Sequence, residues 1–414
     1  MQFNRSLAYS QILPTSRNGA MAPMTDSAND EIELLQRLRD AEELFSRLKE
    51  LEGGELQRQK ILRETFPDDL VRAALALLEL RERAKAKFSR ADEMWFDRAG
   101  LEQSTSEIVA RHKAKRFDGP VWDLCSGIGG DAIALAERGP VLAIDKNPAA
   151  CLRTQWNAEV YGVGAHVTTK CLSVEQLLKQ TDDPPRLVHI DPDRRASGRG
   201  RSLRIEDSQP GPETLWKLMK TIPGGAIKLS PAANFLGKFP AAEIELISLE
   251  GECKEATVWF GELAEPGRFR ATLLPAEETL AGHPLDAICE VGPLSRYLYD
   301  PDPSVVRSGL INLLAEQSKL TRLDDAEEYL TSETYCESPF VKGFEVLAEL
   351  PNNEKAIRKF FRERNAGEVE IKCRHVPIDA EAVRRKLPLE GSGRLTLVFA
   401  KILGKTRAIV CRRV

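Results

Sequence analysis

The residues most able to do chemistry lie in a glycine-rich loop. Residues 121–131 read Val-Trp-Asp-Leu-Cys-Ser-Gly-Ile-Gly-Gly-Asp, with a strand-like apolar run at the start and a helical pattern after the glycines. Glycines permit a sharp turn and let a ligand approach the backbone closely. Gly127, Gly129 and Ala132 also match the general dinucleotide-binding pattern, which by itself is weakly specific. The loop therefore predicts a nucleotide-like ligand.

Carboxylates around this loop restrict the class of ligand that it can bind. Asp123 stands just before the glycines and Asp131 just after them. Their negative charge suits a cation, such as a sulfonium with its amino group, and repels a pyrophosphate at the helix N-terminus. The next apolar run ends in Asp145, where an acid can accept both ribose hydroxyls, as it also does in nicotinamide enzymes. The alternative is that Asp145 caps a helix starting near Pro148.

A second chemical segment follows a later apolar run. It consists of Asp191, Pro192, Asp193 and Arg194. Open α/β sheets place their chemistry at the carboxyl ends of strands, and the proline removes an amide donor and restricts the turn. Residues 228–231, Lys-Leu-Ser-Pro, form another strand end at the same predicted edge. We expect these segments to converge on one site.

The elements that must position these residues alternate regularly. Predicted strands cover 121–124, 141–144, 165–168, 187–190, 225–229, 243–249 and 256–260. Predicted helices between the first strands cover 130–138, 148–161, 174–180 and 212–221. This alternation indicates an α/β domain over residues 113–265, with a parallel sheet covered by helices on both faces.

The flanking regions have different patterns. Residues 31–112 form an amphipathic helical module, which either packs against the sheet or contacts the substrate. Residues 1–30 are polar and are predicted to be disordered. Residues 266–338 are a connecting region with a predicted strand or turn over 294–299 and a helix over 303–317. A small α+β domain over 339–414 has predicted helices at 353–364 and 379–386 and strands at 369–373, 395–401 and 406–411.

Composition restricts the classes of protein. A chain of 414 residues with 42% hydrophobic and 29% charged residues is typical of a globular protein with several domains. No apolar run approaches the roughly 18 residues of a membrane span. The eight cysteines include no CxxC pair, which argues against a metal site or a disulfide framework and favours a reducing cytoplasm.

The positive charge is concentrated in two places. Residues 339–414 hold 17 basic and 9 acidic residues, a net charge of +8 in a chain of net −4, so the remainder carries −12. Five arginines also lie between Arg194 and Arg204, just after the Asp-Pro segment. Both features suit a polyanion such as nucleic acid. The alternatives are a basic surface without a partner and a solvated loop.

Together these motifs resemble class I methyltransferases that use S-adenosyl-L-methionine. The closer resemblance is to a bacterial group with a THUMP-like C-terminal domain. That group shares the Gln-Ser-Thr-Ser-Glu segment at 103–107, the Asp-Pro-x-Arg-Arg tip at 191–195 and the Lys-Leu-Ser-Pro tip at 228–231. The resemblance covers about residues 90–414. It implies a Rossmann-like methyltransferase sheet and, because THUMP domains bind RNA, an RNA substrate.

The resemblance also implies roles for individual residues. Asp123, Gly127 and Gly129 would frame the methionine part of the cofactor, together with Cys125 and Asp131 of the same loop. Asp145 would bind the ribose, with Lys146 beside it. The adenine would lie near Cys171 and Leu172, although many methyltransferases have an acid where Cys171 stands. The residues expected to lie over the cofactor are Gln103 and Thr105, with Ser104 as a possible helix cap instead.

The Asp191 segment departs from the family pattern. Enzymes that methylate an exocyclic base nitrogen usually have a second proline and then an aromatic residue, where this chain has Asp193 and Arg194. An arginine can stack on a base or hold a phosphate, so the methylated atom stays open. For a nitrogen, Asp191 would orient the amine and could accept its proton. Two alternatives are an inactive RNA-binding protein that keeps the cofactor fold and a nicotinamide-dependent enzyme.

Overall fold

The structure is a computed structural model that describes residues 26–181, 184–193, 204–235 and 237–414. These residues divide into two compact units. The first contains the described residues up to 229, with 233–235 and 259–264. The second contains 230–232, 237–258 and 265–414. In the described part, no helix is both long and apolar enough to cross a membrane.

The first unit begins with helices, as predicted. They are α1 (Asp26–Arg39), α2 (Glu42–Glu50), α3 (Glu55–Leu62), α4 (Asp68–Ala84), α5 (Arg98–Gln103) and α6 (Glu107–Ala114). Helix α4 buries Leu70, Val71, Ala74 and Leu77 in the core that also contains Ile128 of the glycine loop. Helix α1 starts at Asp26, within the segment 1–30 for which the sequence predicts disorder, and residues 1–25 lie outside the described residues.

A parallel sheet follows in the same unit. Its strands are β1 (Val121–Leu124), β2 (Val141–Asp145), β3 (Val167–Cys171), β4 (Leu187–Ile190) and β5 (Gly224–Leu229). The connecting helices are α7 (Gly130–Ala136), α8 (Pro148–Val160), α9 (Val174–Gln180) and α10 (Pro212–Thr221). The strand order is β3-β2-β1-β4-β5, with all neighbours parallel. This confirms the predicted Rossmann-like sheet.

The sheet order determines where a ligand can bind. The chain proceeds in one direction from β1 to β3 and in the other from β4 to β5, so the order reverses between β1 and β4. Ligands of open α/β sheets bind at such a reversal, beyond the carboxyl ends of the strands. The third strand starts later than predicted, because Gly164–His166 form a short 3-10 turn.

The second unit extends the strand pattern beyond the predicted end near residue 265. The next strands along the chain are β6 (Glu243–Leu249), β7 (Glu252–Gly261), β8 (Phe269–Leu274) and β9 (Glu278–Gly282). In the sheet they lie in the order β7-β6-β8-β9. The last three residues of β7 belong to the first unit. Strand β8 pairs in parallel with β6, and β9 pairs antiparallel with β8.

A seven-stranded sheet forms the rest of the second unit. Its order is β11-β12-β10-β13-β16-β15-β14. The strands are β10 (Tyr297–Pro301), β11 (Thr321–Arg322), β12 (Leu330–Ser332), β13 (Val341–Pro351), β14 (Ala366–Cys373), β15 (Gly393–Ile402) and β16 (Lys405–Arg413). The predicted connecting region thus supplies three strands to the same sheet as residues 339–414. Strand β13 was not predicted, because its side chains are mostly half-buried without clear alternation.

The helices of this unit are α11 (Pro303–Ser308), α12 (Ile311–Ser318), α13 (Glu354–Glu363) and α14 (Ala380–Lys386). The single helix predicted over 303–317 is therefore two helices. Gly309 ends the first of them in a left-handed conformation with φ 74°, which glycine adopts readily and which stops a helix.

Candidate active site

The glycine loop follows β1 and turns through left-handed backbone positions. Cys125, Gly127 and Gly129 have φ values of 61°, 56° and 89°. A Cβ on Gly129 would lie 3.1 Å from the Thr154 side chain, whereas a Cβ on Gly127 would meet nothing within 4 Å. Packing therefore explains the glycine at 129. Gly127 instead borders open space, which a ligand can occupy.

Asp145 lies at the end of β2, against this loop. Its Oδ2 accepts the Gly127 N–H at 2.9 Å and its Oδ1 accepts the Asn147 N–H at 2.8 Å. Burial raises the pKa of the Asp145 carboxyl, and the two N–H bonds oppose that rise. The interpretation as a helix cap was wrong, because Asn147 caps α8 through the Ala149 N–H. Carboxylate oxygens with a further lone pair can still accept ribose hydroxyls.

The predicted adenine-side residues lie beside Asp145. Cys171 is its register partner on β3, and the Leu172 N–H donates to the Asp145 carbonyl at 3.0 Å. The Cys171 thiol donates to the Lys146 carbonyl at 3.5 Å. The fold therefore brings together four residues that the sequence placed at the ribose and adenine.

A buried polar chain links the helices to the loop. Asp123 Oδ1 lies 2.7 Å from His189 Nδ1, and His189 Nε2 lies 3.2 Å from Lys113 Nζ. Lys113 Nζ is 2.8 Å from Asp131 Oδ1, and Thr105 donates to Asp131 Oδ2 at 2.6 Å. We call these five residues the buried polar chain. Sequence reasoning missed Lys113 and His189. The only local signal was a histidine inside an apolar strand.

One carboxylate oxygen of the buried polar chain is buried without a partner in the part of the protein that the structure describes. Asp123 is 1% exposed, and its Oδ2 has no hydrogen-bond partner among the described residues. Burial raises the pKa of Asp123, and the His189 hydrogen bond opposes this. Burial also acts to raise the pKa of Asp131, but nearby charge, above all that of Lys113, holds this pKa well below the ordinary value. A buried anion with an unpartnered oxygen requires a donor or cation, which fits a ligand with an amino group and a sulfonium.

Asp191 lies across β1 from Asp145. Its N–H donates to the Leu124 carbonyl at 3.1 Å, and its Oδ2 accepts from Lys228 Nζ at 2.6 Å. The same ammonium donates to the Gln103 carbonyl at 3.2 Å, and Lys228 is only 6% exposed. Lys228 therefore joins the Asp191 tip to the segment predicted to lie over the cofactor, a contact that the sequence did not reveal.

Asp193, which follows Pro192, forms a backbone bridge with Gln209. The two residues exchange two backbone hydrogen bonds of 2.8 and 2.9 Å. Arg194 and three further arginines of the predicted basic loop lie outside the described residues. Arg204 is described, and its side chain is 71% exposed.

Asn157 of α8 connects the helical module to the glycine loop. Its amide N–H groups donate to the carbonyls of Trp95 and Ile128 at 3.0 and 2.9 Å, and its Oδ1 accepts the Trp95 N–H at 2.7 Å. A Cβ on Gly100 of α5 would lie 2.4 Å from the Ile128 side chain. These contacts support the packing role of the module.

Replacing Gly127 by alanine is expected to weaken cofactor binding at least about tenfold, since its methyl group would enter the open space beside the loop. The left-handed φ also costs about 1–2 kcal/mol. Gly162→Ala is the matched control, because Gly162 has φ 76° and open space around its Cβ but lies outside the loop. Calorimetry with S-adenosylhomocysteine should show a loss for Gly127→Ala alone, and equal affinities in the two variants would contradict this role for Gly127.

Comparison with known families finds two matches. A family described as RNA cap guanine-N2 methyltransferase matches residues 119–190, which include the glycine loop and β4. A family described as THUMP domain-like matches residues 341–413. The chain therefore combines similarity to a methyltransferase with similarity to a THUMP domain.

Longer similarities cover most of the chain. Two proteins from the CDC 1551 / Oshkosh and H37Rv strains of Mycobacterium tuberculosis are 33% identical over 351 residues, which are 80% of this chain and 94% of theirs. Both are described as uncharacterised S-adenosylmethionine-dependent methyltransferases. A crystal structure from Porphyromonas gingivalis W83, described as a candidate methyltransferase, has a TM-score of 0.72 at 20% identity. The similarity covers 84% of this chain and 92% of the Porphyromonas chain.

Proposed function

The chain belongs to the class I S-adenosylmethionine-dependent methyltransferases that carry a THUMP-like C-terminal domain, and on this premise we propose that it methylates a base in RNA. S-adenosylmethionine is the cofactor of this family of enzymes, so the family does not support the alternative of a nicotinamide-dependent enzyme. The inactive-protein alternative is likewise disfavoured by the similarity to methyltransferases.

We propose that the protein contributes mainly alignment. The cofactor supplies an electrophilic methyl group on a positively charged sulfur. Asp123 and Gly127 would hold its methionine end, and Asp145 would hold its ribose. Asp191, kept in place by Lys228, would accept a hydrogen bond from the target base and so orient the nucleophile. Positioning of this kind can supply most of the rate of a simple transfer.

The observation that carries the RNA proposal is a row of cations on α13. Lys355, Arg358, Lys359 and Arg362 recur at helical spacing and are exposed, and we call them the α13 basic face. Ile357 and Phe361 of the same helix are buried, so the helix packs through its apolar face. The acidic neighbours of Arg358 and Lys359 lie 3.5 and 3.8 Å away in exposed pairs, which contribute little and exchange readily for phosphate.

Transfer of a labelled methyl group from the cofactor to total RNA tests the proposal. RNA from cells that lack the protein should accept label, and digestion to nucleosides with mass spectrometry should identify one methylated base. Absence of label in any RNA fraction, with a correctly bound cofactor, would contradict an RNA substrate. We place the reaction in the reducing cytoplasm, in keeping with eight free cysteines.

Replacing all four residues of the α13 basic face by glutamine is expected to weaken RNA binding about tenfold or more at physiological salt. The slope of log K against log salt should fall by about 3, since each phosphate contact contributes roughly 0.7–0.9. A matched control replaces four exposed cations of the helical module, Arg63, Arg72, Lys85 and Arg98, by glutamine. An equal loss in both variants would show that net charge, and not this face, is responsible.

A further inference from the structure

We propose that Lys113 and His189 are positioning residues that keep Asp123 as an uncompensated anion for the cationic methyl donor. Helix α6, which carries Lys113, would then take part in selecting the cofactor, a role beyond packing. The inference rests on S-adenosylmethionine as the cofactor and does not depend on the RNA substrate.

The hydrogen bonds determine where the proton of His189 lies. An ammonium group can only donate, so at 3.2 Å from Lys113 Nζ the Nε2 atom of His189 accepts. The ring proton is then on Nδ1 and is donated to Asp123 Oδ1 at 2.7 Å. A proton on both nitrogens would face the ammonium directly. Lys113 therefore holds His189 as a neutral imidazole in one tautomer.

The charges along the buried polar chain do not cancel. Lys113 and Asp131 compensate each other at 2.8 Å, and their side chains are 2% and 10% exposed. Since His189 is neutral, the charge of Asp123 has no counterion within the buried polar chain, and its side chain is 1% exposed. Its unpartnered Oδ2 is the remaining acceptor. An anion so poorly screened by water acts strongly on a nearby cation.

This arrangement predicts a preference between substrate and product. S-adenosylmethionine carries a sulfonium that S-adenosylhomocysteine lacks, and the two molecules are otherwise alike. An uncompensated Asp123 favours the charged molecule, so the enzyme binds its methyl donor in preference to the spent product. The ratio of the two affinities therefore reports the charge state of Asp123.

A pair of variants tests the role of Lys113. In Lys113→Met, His189 lies between two carboxylates, 2.7 Å from Asp123 and 3.9 Å from Asp131, so it should become an imidazolium and screen Asp123. We expect the preference for S-adenosylmethionine over S-adenosylhomocysteine to fall about threefold or more. The double variant Lys113→Met/Asp131→Asn removes both charges, which should return His189 to the neutral form and restore the preference.

Calorimetry with the two ligands gives the ratio, and nitrogen-15 NMR of the histidine side chains gives the protonation. Equal weakening of both ligands in Lys113→Met, or no recovery in the double variant, would overturn the proposal. Wild-type protein provides a test that no folding defect can obscure. Its His189 should carry the proton on Nδ1 alone, and a proton on Nε2 would refute the assignment. Since neither measurement uses RNA, failure of the RNA proposal would appear separately, in the labelling experiment.

Discussion

Replacement of Asp191 by alanine is expected to slow methyl transfer to RNA about 100-fold, the cost of misplacing a reacting group by about 1 Å. The backbone N–H of Asp191 donates to the Leu124 carbonyl, and its carboxylate accepts from Lys228, so the carboxylate is positioned before substrate arrives. Its removal deprives the base of an acceptor that orients it. The measurement is the single-turnover rate with saturating cofactor and RNA.

A second variant, Asp191→Asn, separates orientation from folding. Asp191→Ala leaves the buried Lys228 ammonium unpaired, which by itself is destabilising. Asp191→Asn keeps an oxygen acceptor for Lys228 and for the base, so it should lose less activity than alanine. Cofactor affinity should change less than the rate in both. A rate for Asp191→Ala within about threefold of wild type would show that the substrate lies elsewhere.

Replacement of Asn157 by leucine is expected to lower the free energy of unfolding by about 3–5 kcal/mol. Leucine has a similar size, but it leaves the N–H and carbonyl of Trp95 and the carbonyl of Ile128 without their partner. Each buried unpaired group costs about 1–3 kcal/mol. The melting temperature should fall by about 10 °C, given roughly 2–4 °C per kcal/mol for a unit of this size.

The control for this prediction is Asn147→Ala, at the N-cap of the same helix. Asn147 caps α8 by accepting the Ala149 N–H at 2.9 Å, and loss of such a cap costs about 1 kcal/mol. The leucine variant should also bind the cofactor less tightly, since Ile128 belongs to the glycine loop. Equal melting temperatures for the two variants would mean that the Asn157 contacts do not stabilise the loop.

Local patterns were sufficient for the sheet and for the acids at its edge. The strands β1, β2, β4 and β5 and the glycine loop were predicted to within one residue or so, because apolar runs, glycines and helix starts are local properties. The reversal of strand order between β1 and β4 then placed Asp123, Asp145 and Asp191 at one edge. Boundaries failed where a single residue changed the local geometry, as Gly309 did between α11 and α12.

The sequence by itself determined the class of fold, the cofactor loop and the identity of the acids around it, since each depends on short segments. Tertiary structure alone decided which cations meet those acids. Lys113 and His189 are 76 residues apart, and Lys228 is 37 residues from Asp191. No local pattern specifies such pairs, because they form only when distant helices and strands pack together. The glycine loop could thus be recognised from its residues, whereas its contact with Lys113 and His189 depends on how α6 packs against the sheet.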